Sequence, residues 1–120
     1  MTNNIIIEKS YSFALQIVEL YKFLTQEKKE YVLSKQLLRC GTSIGANVNE
    51  AQAAISKKDF IAKIAISSKE ARESKYWLML LRDGNYIDPS KQKVKHLFTE
   101  IDSINKILTS IVKSAQENAK

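Results

Sequence analysis

Residues that interrupt helices are scarce in this chain. Its 120 residues include three glycines and one proline, and these residue types are the ones that most often mark turns. Apolar residues recur at three- and four-residue spacing over most of the length, and no useful stretch alternates with a period of two. The sequence therefore predicts an all-α protein built from a few long helices.

Apolar stripes divide the chain into four predicted helices. The second stripe, from Leu33 to Ile55, passes through both Gly41 and Gly45 without losing its period, which indicates one helix and not two. The first stripe consists of Ala14, Ile17, Val18, Tyr21 and Leu24. The predicted helices cover residues 4–26, 30–55, 57–83 and 89–115.

Turn chemistry supports these boundaries. Ser56 followed by Asp59 is a variant capping box that predicts the start of the third helix. Residues 83–85, Asp-Gly-Asn, are typical of a helix end. Asp88 and Pro89 then predict an N-cap with proline at the first helical position.

The expected architecture is an antiparallel, up-down-up-down four-helix bundle in one domain covering residues 1–120. Short connections place consecutive helices antiparallel, and helices of 20–26 residues span roughly 30–40 Å. The alternative is an open array of helices that packs only on a partner. It is less favoured because all four stripes are wide enough to share a core.

The cysteine and histidine content excludes several classes of site. One cysteine, Cys40, excludes an internal disulfide framework and a multi-thiolate metal site, and His96 is the one histidine. We therefore expect no metal and no cofactor, with Cys40 a small core thiol. Residues 1–8 lack the basic region of a signal peptide, and no apolar run reaches membrane-spanning length. A reducing, cytoplasmic setting is expected.

Polar residues test the register of a hairpin formed by the second and third helices. A turn at Ser56 pairs Arg39 with Glu73 and Glu50 with Lys63. We interpret these as ion pairs that fix register. An enzyme that uses Glu70, Glu73 and Arg39 is the sharper alternative, but no Glu-x-x-His motif occurs, and no catalytic residue is predicted.

The segment 39–47 concentrates small and hydroxyl residues inside a predicted helix. Stronger helix formers would be more favourable there, which predicts that another helix approaches this backbone closely. A phosphate-binding loop is excluded because no Gly-Lys-Ser/Thr follows the glycines.

Two predicted helices carry more apolar surface than one stripe can bury. Residues 76–81 are six consecutive apolar residues, and the first helix has aromatic residues beside its main stripe. Such an excess favours self-association. The residues assigned to an oligomer interface are Tyr11, Phe13, Tyr76 and Trp77.

The chain is basic, with a net charge of +6, and its lysines are grouped. The candidate nucleic-acid-binding residues are Lys28, Lys29, Lys57, Lys58, Lys91, Lys93 and Lys95. One monomer is not expected to form a single continuous patch from them, but a ring of subunits would repeat each group around its axis and attract phosphate backbones. Solvated lysines that keep the protein soluble are an equally economical interpretation.

Several short blocks in the first three predicted helices form a specific pattern. They are Lys9-Ser10, Phe13-Ala14, Gln36 to Arg39, Gly41 to Asn47, Glu50-Ala51, Asp59-Phe60, Lys69 to Ser74 and Tyr76-Trp77-Leu78. Their order and spacing resemble the four-helix-bundle proteins encoded in 23S rRNA intervening sequences. Cys40 and Ser74 depart from the pattern, where serine and threonine are expected, and neither affects the expected fold.

The resemblance implies a small bacterial bundle that assembles as a homopentameric ring, with no catalytic activity. A related branch resembles the accessory proteins of diversity-generating retroelements, which are basic pentamers that associate with a reverse transcriptase and with nucleic acid. The resemblance also implies a polar set between the second and third helices, and the register of that hairpin adds Lys63 to it. The expected set is Arg39, Ser43, Asn47, Glu50, Lys63, Glu70 and Glu73.

Two function classes follow. The first is a non-enzymatic, ring-forming protein that binds RNA or DNA backbones without reading sequence, and whose binding weakens steeply with salt. The alternative is a protein–protein adaptor that docks a partner such as a reverse transcriptase and has little affinity for bare nucleic acid.

Overall fold

The computed structural model describes residues 4–118 and confirms the all-α, antiparallel four-helix bundle. The helices are α1 (Asn4–Gln26), α2 (Leu33–Gln52), α3 (Lys57–Asp83) and α4 (Gln92–Asn118). Each helix packs against its neighbours in the chain, and α1 also packs against α4 through the smallest of the four interfaces. The bundle measures 49 × 22 × 20 Å. No strand occurs within residues 4–118.

The start of α2 differs from the prediction because a side-chain carboxylate, and not an additional helical turn, accepts hydrogen bonds from the first amides of the helix. The helix begins at Leu33, three residues later than expected. Glu30 is buried, and its carboxylate accepts hydrogen bonds from the backbone N–H groups of Val32, Leu33 and Ser34 at 2.7–3.0 Å. Lys29, with φ 55°, reverses the chain just before it. Glu30 thus supplies the acceptor that the exposed amides at a helix start require.

The start of α4 also lies three residues later than expected. The helix begins at Gln92, and Asp88 caps a separate turn ahead of it. Its Oδ1 accepts hydrogen bonds from the backbone N–H and the hydroxyl of Ser90 at 2.9 and 2.7 Å. The prediction that Asp88 and Pro89 start the fourth helix is therefore wrong, because they form a separate turn ahead of it.

The bounds of α3 coincide with the prediction. The Ser56 side chain accepts a hydrogen bond from the backbone N–H of Asp59, and the Asp59 carboxylate reaches back to the N–H of Ile55 at 3.3 Å. At the other end, Gly84 has a negative φ, and Asn85 adopts the left-handed conformation at φ 68°. Asn85 therefore reverses the chain after α3.

The close approach predicted for the glycine segment occurs between α2 and α1. A Cβ atom on Gly41 would lie 3.0 Å from the side chain of Ile17, and one on Gly45 would lie 3.4 Å from the backbone oxygen of Ser10. The first distance is too short for a methyl group unless Ile17 moves. Gly41 therefore sets how closely α1 and α2 pack.

Two apolar residues are placed differently from the prediction. Phe13, expected at an oligomer interface, is fully buried in the core of its own chain. Ile55, expected at the end of the second stripe, is 94% exposed because α2 ends at Gln52. The core stripe of α1 includes Phe13, Ile17 and Leu24.

Candidate nucleic-acid interface

A polar network joins α2 and α3 where the hairpin register expects one. Arg39 donates from Nη1 to Glu70 Oε2 at 3.1 Å and from Nη2 to Glu73. The indole N–H of Trp77 donates to the same Glu73 carboxylate at 2.9 Å. The Trp77 hydrogen bond, with the Arg39 bond and charge, lowers the pKa of Glu73 against the opposing effect of burial. The carboxylate is therefore held ionised as a structural element.

The rest of the predicted polar set does not join this network. Asn47 donates from Nδ2 to the carbonyl and hydroxyl of Ser43 at 2.9 and 3.1 Å, within α2. Glu50 is exposed, and among the described residues it forms no ion pair with Lys63. Of the two ion pairs predicted between α2 and α3, the Arg39–Glu73 pair is present and the Glu50–Lys63 pair is not.

Small polar side chains complete the α2–α3 contact inside the bundle. Ser67 donates to the carbonyl of Ile44 at 2.8 Å, and both groups are buried. Ser74 Oγ lies 3.3 Å from Cys40 Sγ and 2.8 Å from the carbonyl of Glu70. Cys40 is fully buried, and this burial raises the pKa of its thiol, so it stays a neutral packing group as expected.

The other three residues assigned to an oligomer interface lie at the surface to different degrees. Tyr11 on α1 and Tyr76 on α3 are 63% and 55% exposed. Trp77 is half-buried and makes an edge-on ring contact with Tyr76, with 5.2 Å between ring centroids. Exposed aliphatic side chains, Leu15 on α1 and Leu80 on α3, lie near these tyrosines in sequence.

The antiparallel topology brings two of the three lysine groups to the same end of the bundle. Lys28 and Lys29 lie in the α1–α2 connection, and Lys91, Lys93 and Lys95 lie at the start of α4. These five residues, the end cluster, are exposed and form no ion pair with another described residue. The remaining pair, Lys57 and Lys58, lies at the opposite end.

A family model described as 23S rRNA-intervening sequence protein matches residues 2–110 of the chain. The chain belongs to this family. The resemblance identified from the sequence is thereby confirmed, and most of the chain, including all three lysine groups, lies within the match.

A solved structure supports the assignment of this chain to the 23S rRNA intervening-sequence family. The chain is 50% identical to a protein of unknown function from the S23 ribosomal protein family of Bacteroides thetaiotaomicron VPI-5482, with a TM-score of 0.87. The match covers 94% of this chain and 99% of the other. The comparison with curated proteins finds no similar sequence.

The described part of this family member has neither a cluster of metal ligands nor a membrane-spanning helix. Residues 4–118 contain no group of three or more His, Cys, Asp and Glu side chains placed to hold a metal ion. In the same part of the chain, no helix combines the length and apolar character needed to cross a membrane.

Sequence reasoning missed two features of this family member. The predicted second helix starts at Glu30, and no signal in the usual capping set of Ser, Thr, Asp, Asn and Gly marks Glu30 as the acceptor for the amides at the start of α2. Arg72 and Lys113 were assigned no role from the sequence, but they line one groove between α3 and α4. The groove joins residues about forty positions apart, and helical periodicity alone carries no signal for it.

Proposed function

We propose that this 23S rRNA intervening-sequence protein is a non-enzymatic, ring-forming protein that associates with RNA or other nucleic acid through phosphate-backbone contacts. Such contacts position a protein without reading sequence, and their strength falls as salt rises.

The observation that carries the proposal is the end cluster of five lysines without ion-pair partners among residues 4–118. Lys91, Lys93 and Lys95 lie at the start of α4, whose first turn contains no acidic residue. Cations at this positive end of a helix dipole cost about 0.3–1 kcal/mol each. A bound phosphate backbone would offset that cost, because it places negative charge beside both the lysines and the helix terminus.

The geometry of the acidic residues supports a non-enzymatic role. Glu70 and Glu73 lie one turn apart on a single helix and both bind Arg39. Paired-carboxylate hydrolases instead place two acids on opposite sides of a substrate. The network is accounted for by its role in joining α2 to α3.

Ring assembly as a homopentamer is the second part of the proposal. It is supported by the exposed Tyr11 and Leu15 on α1 and Tyr76 and Leu80 on α3, which give two helices apolar surface that their own bundle leaves uncovered. Two different faces suit the head-to-tail contacts that close into rings. A pentamer has a solution mass five times the 13.7 kDa of one chain.

The test is binding of purified protein to a fluorescent structured RNA and to duplex DNA across a salt series, with solution mass measured on the same sample. Lys91→Gln with Lys93→Gln should weaken binding more than Lys57→Gln with Lys58→Gln, which removes the same charge from the opposite end. Equal losses would contradict a role for the end cluster. A ring that ignores both nucleic acids at low salt would overturn nucleic-acid binding and favour the adaptor.

A further inference from the structure

An open groove of about 210 Å³ between α3 and α4 is lined by five side chains that can donate hydrogen bonds and by the apolar Ala65 and Val112. Ser68 and Arg72 contribute from α3, and Thr109, Lys113 and Gln116 contribute from α4. No acidic side chain lines the groove. A water molecule takes about 30 Å³ of liquid volume, so a hydrated phosphate group fits. All five side chains can donate to an anion, and two of them carry a positive charge.

Ser68 distinguishes this groove from an ordinary solvated surface. The residue is 5% exposed, and its hydroxyl forms no hydrogen bond with another described residue. Its oxygen is still not closed off from solvent, because the buried unpartnered side-chain atom of the described chain is Asn105 Oδ1. The other buried serines of the described chain are all bonded to a carbonyl. They are Ser10, Ser34, Ser67 and Ser74. Because Ser68 lines the groove and its hydroxyl has no partner among the described residues, the hydroxyl is available to a group that enters the groove.

The two cations are available as well. Arg72 and Lys113 are exposed and form no ion pair with any residue between 4 and 118. The acid nearest to Lys113 in sequence, Glu117, does not line the groove. Asp102, which lies on α4 before the groove, is bound to Lys75 at 2.7 Å. The groove therefore presents uncompensated positive charge.

A row of lysines on α4 leads from the end cluster to this groove. Lys95, Lys106 and Lys113 are spaced by 11 and 7 residues, which keeps them on one stripe of the helix, and all three are exposed. The row is about 27 Å long at 1.5 Å per residue. A backbone that runs along α4 would meet phosphate-binding groups at both ends of this row.

We propose that the α3–α4 groove is a phosphate-binding subsite for a single nucleic-acid strand, with Arg72 and Lys113 pairing with one phosphodiester and Ser68 donating to its oxygen. The inference rests on the proposed nucleic-acid association and assigns it a second contact surface, distinct from the end cluster.

The main test compares two variants of equal charge. Arg72→Gln with Lys113→Gln removes both cations from the groove, and Lys22→Gln with Lys35→Gln removes two from α1 and α2. With a fluorescent single-stranded RNA, we expect the groove variant to bind about tenfold more weakly or worse. Its salt slope should fall by about 0.7, because both cations pair with one phosphodiester and each contacted phosphate of a single strand contributes about 0.7. The matched variant should stay near the wild type.

Ser68→Ala separates direct contact from long-range attraction. It changes no charge, so a purely electrostatic field would leave binding unaffected. A hydroxyl that donates to the phosphate should cost about fivefold in affinity with an unchanged salt slope. Circular dichroism and thermal unfolding of each variant establish that the bundle is intact.

The outcomes separate this inference from the proposed function. If the wild type binds RNA and the groove variant matches the α1–α2 variant, the groove assignment is overturned and nucleic-acid association stands. If the wild type binds no RNA at low salt, both fall. A third outcome combines two observations: inorganic phosphate shifts the NMR signals of Ser68 and Thr109, and the groove variant binds RNA as tightly as the wild type. The groove would then be a free-phosphate site, and its assignment to a nucleic-acid strand would be overturned.

Discussion

The two hairpins of the bundle differ in what their side chains do. The α1–α2 half, residues 1–52, has six Lys and Arg against five Asp and Glu, whereas residues 53–120 have thirteen against eight. The second half therefore carries +5 of the net +6. The first half contains the glycine-mediated helix contact, with Gly41 against Ile17, and its buried carboxylate, Glu30, is used inside the fold.

The net charge alone is therefore a poor guide to where the proposed nucleic-acid interface lies. Glu30 and Lys29 act on the backbone turn between α1 and α2, so part of the charge in the first hairpin is structural. In the second hairpin, most cations outside the ion pairs of Lys75 and Arg82 have no structural partner among the described residues. Substitutions in the two halves should therefore affect different quantities.

The largest expected effect is on the core of the first hairpin. Phe13→Ala should lower the free energy of unfolding by about 3–5 kcal/mol, because it empties a fully buried aromatic site. Tyr11→Ala, on the exposed face of the same helix, should change the value for a single unassembled chain by about 0.5 kcal/mol or less. Urea unfolding over a protein-concentration series measures both, since the proposed assembly would add concentration-dependent stability. Similar losses for the two variants would mean that Tyr11 also belongs to a buried core.

The glycine contact gives the next largest effect. Gly41→Val should cost about 2 kcal/mol, because its side chain would overlap Ile17 in a filled core. Gly45→Ala is the matched control. Its methyl group would meet Ser10 at ordinary contact distance, so the gain in helix propensity should stabilise the protein by up to about 1 kcal/mol. Thermal unfolding of both variants checks the opposite signs, and two losses would place the close approach at both glycines.

Glu30 gives an acid-dependent effect that is confined to the first hairpin. Burial raises the pKa of Glu30, but the hydrogen bonds from Leu33, Ser34 and Val32 together lower it by a larger amount. The net shift of the pKa is therefore downward. A lowered folded-state pKa contributes stability that is present above the usual value near 4.5 and is lost as the pH falls through the folded value.

Glu30→Gln should therefore cost about 1 kcal/mol at pH 7, as the loss of a helix cap does. It should also reduce the decline in stability below pH 4.5. Chemical unfolding at pH 7, 5, 4 and 3 measures this difference. Parallel curves for the wild type and the variant would show that Glu30 is not a source of the acid dependence.

The smallest effect should sharpen the contrast between the hairpins. Lys93 lies in the first turn of α4 and Lys35 in the first turn of α2. Replacing either by Gln should stabilise the protein by about 0.3–0.5 kcal/mol, because a cation is removed from the positive end of a helix. Only Lys93→Gln should also weaken nucleic-acid binding clearly. Equal binding losses would mean that the two hairpins contribute alike.

The helix ends that were predicted correctly are those with local turn chemistry. Ser56 and Asp59 at the start of α3, and residues 83–85 at its end, act within a few positions of each other. The starts of α2 and α4 were misplaced because Glu30 and Asp88 bond nearby amides within separate turns, where the prediction has the helix itself begin. Which of these two arrangements forms depends on tertiary packing around the turn.

The burial of Phe13 could not be predicted because α1 is apolar around most of its circumference. With Tyr11, Leu15 and Val18 also apolar, the period of the helix was clear but its rotational phase was not. The observed core stripe, which includes Phe13 and Ile17, is rotated relative to the predicted one.

The candidate sites were predictable only where the register of two adjacent helices determined which residues face each other. The register of the α2–α3 pair placed Arg39 opposite Glu73, and that ion pair is present. The contribution of Trp77 to the same carboxylate could not be derived, because it depends on a side-chain conformation. The proximity of Ser68 to Lys113 depends on the α3–α4 packing.

The order of helix contacts also bears on how the chain folds. Three of the four interfaces join helices that are consecutive in the chain, and such local topologies fold rapidly. The α1–α4 interface is the exception, since its Lys9–Glu100 ion pair, at 2.9 Å, closes a loop of most of the chain. We expect this seam to form after the hairpins, so that weakening it speeds unfolding and leaves the folding rate nearly unchanged. The first and last helices would then be joined by the contact that forms last and opens first.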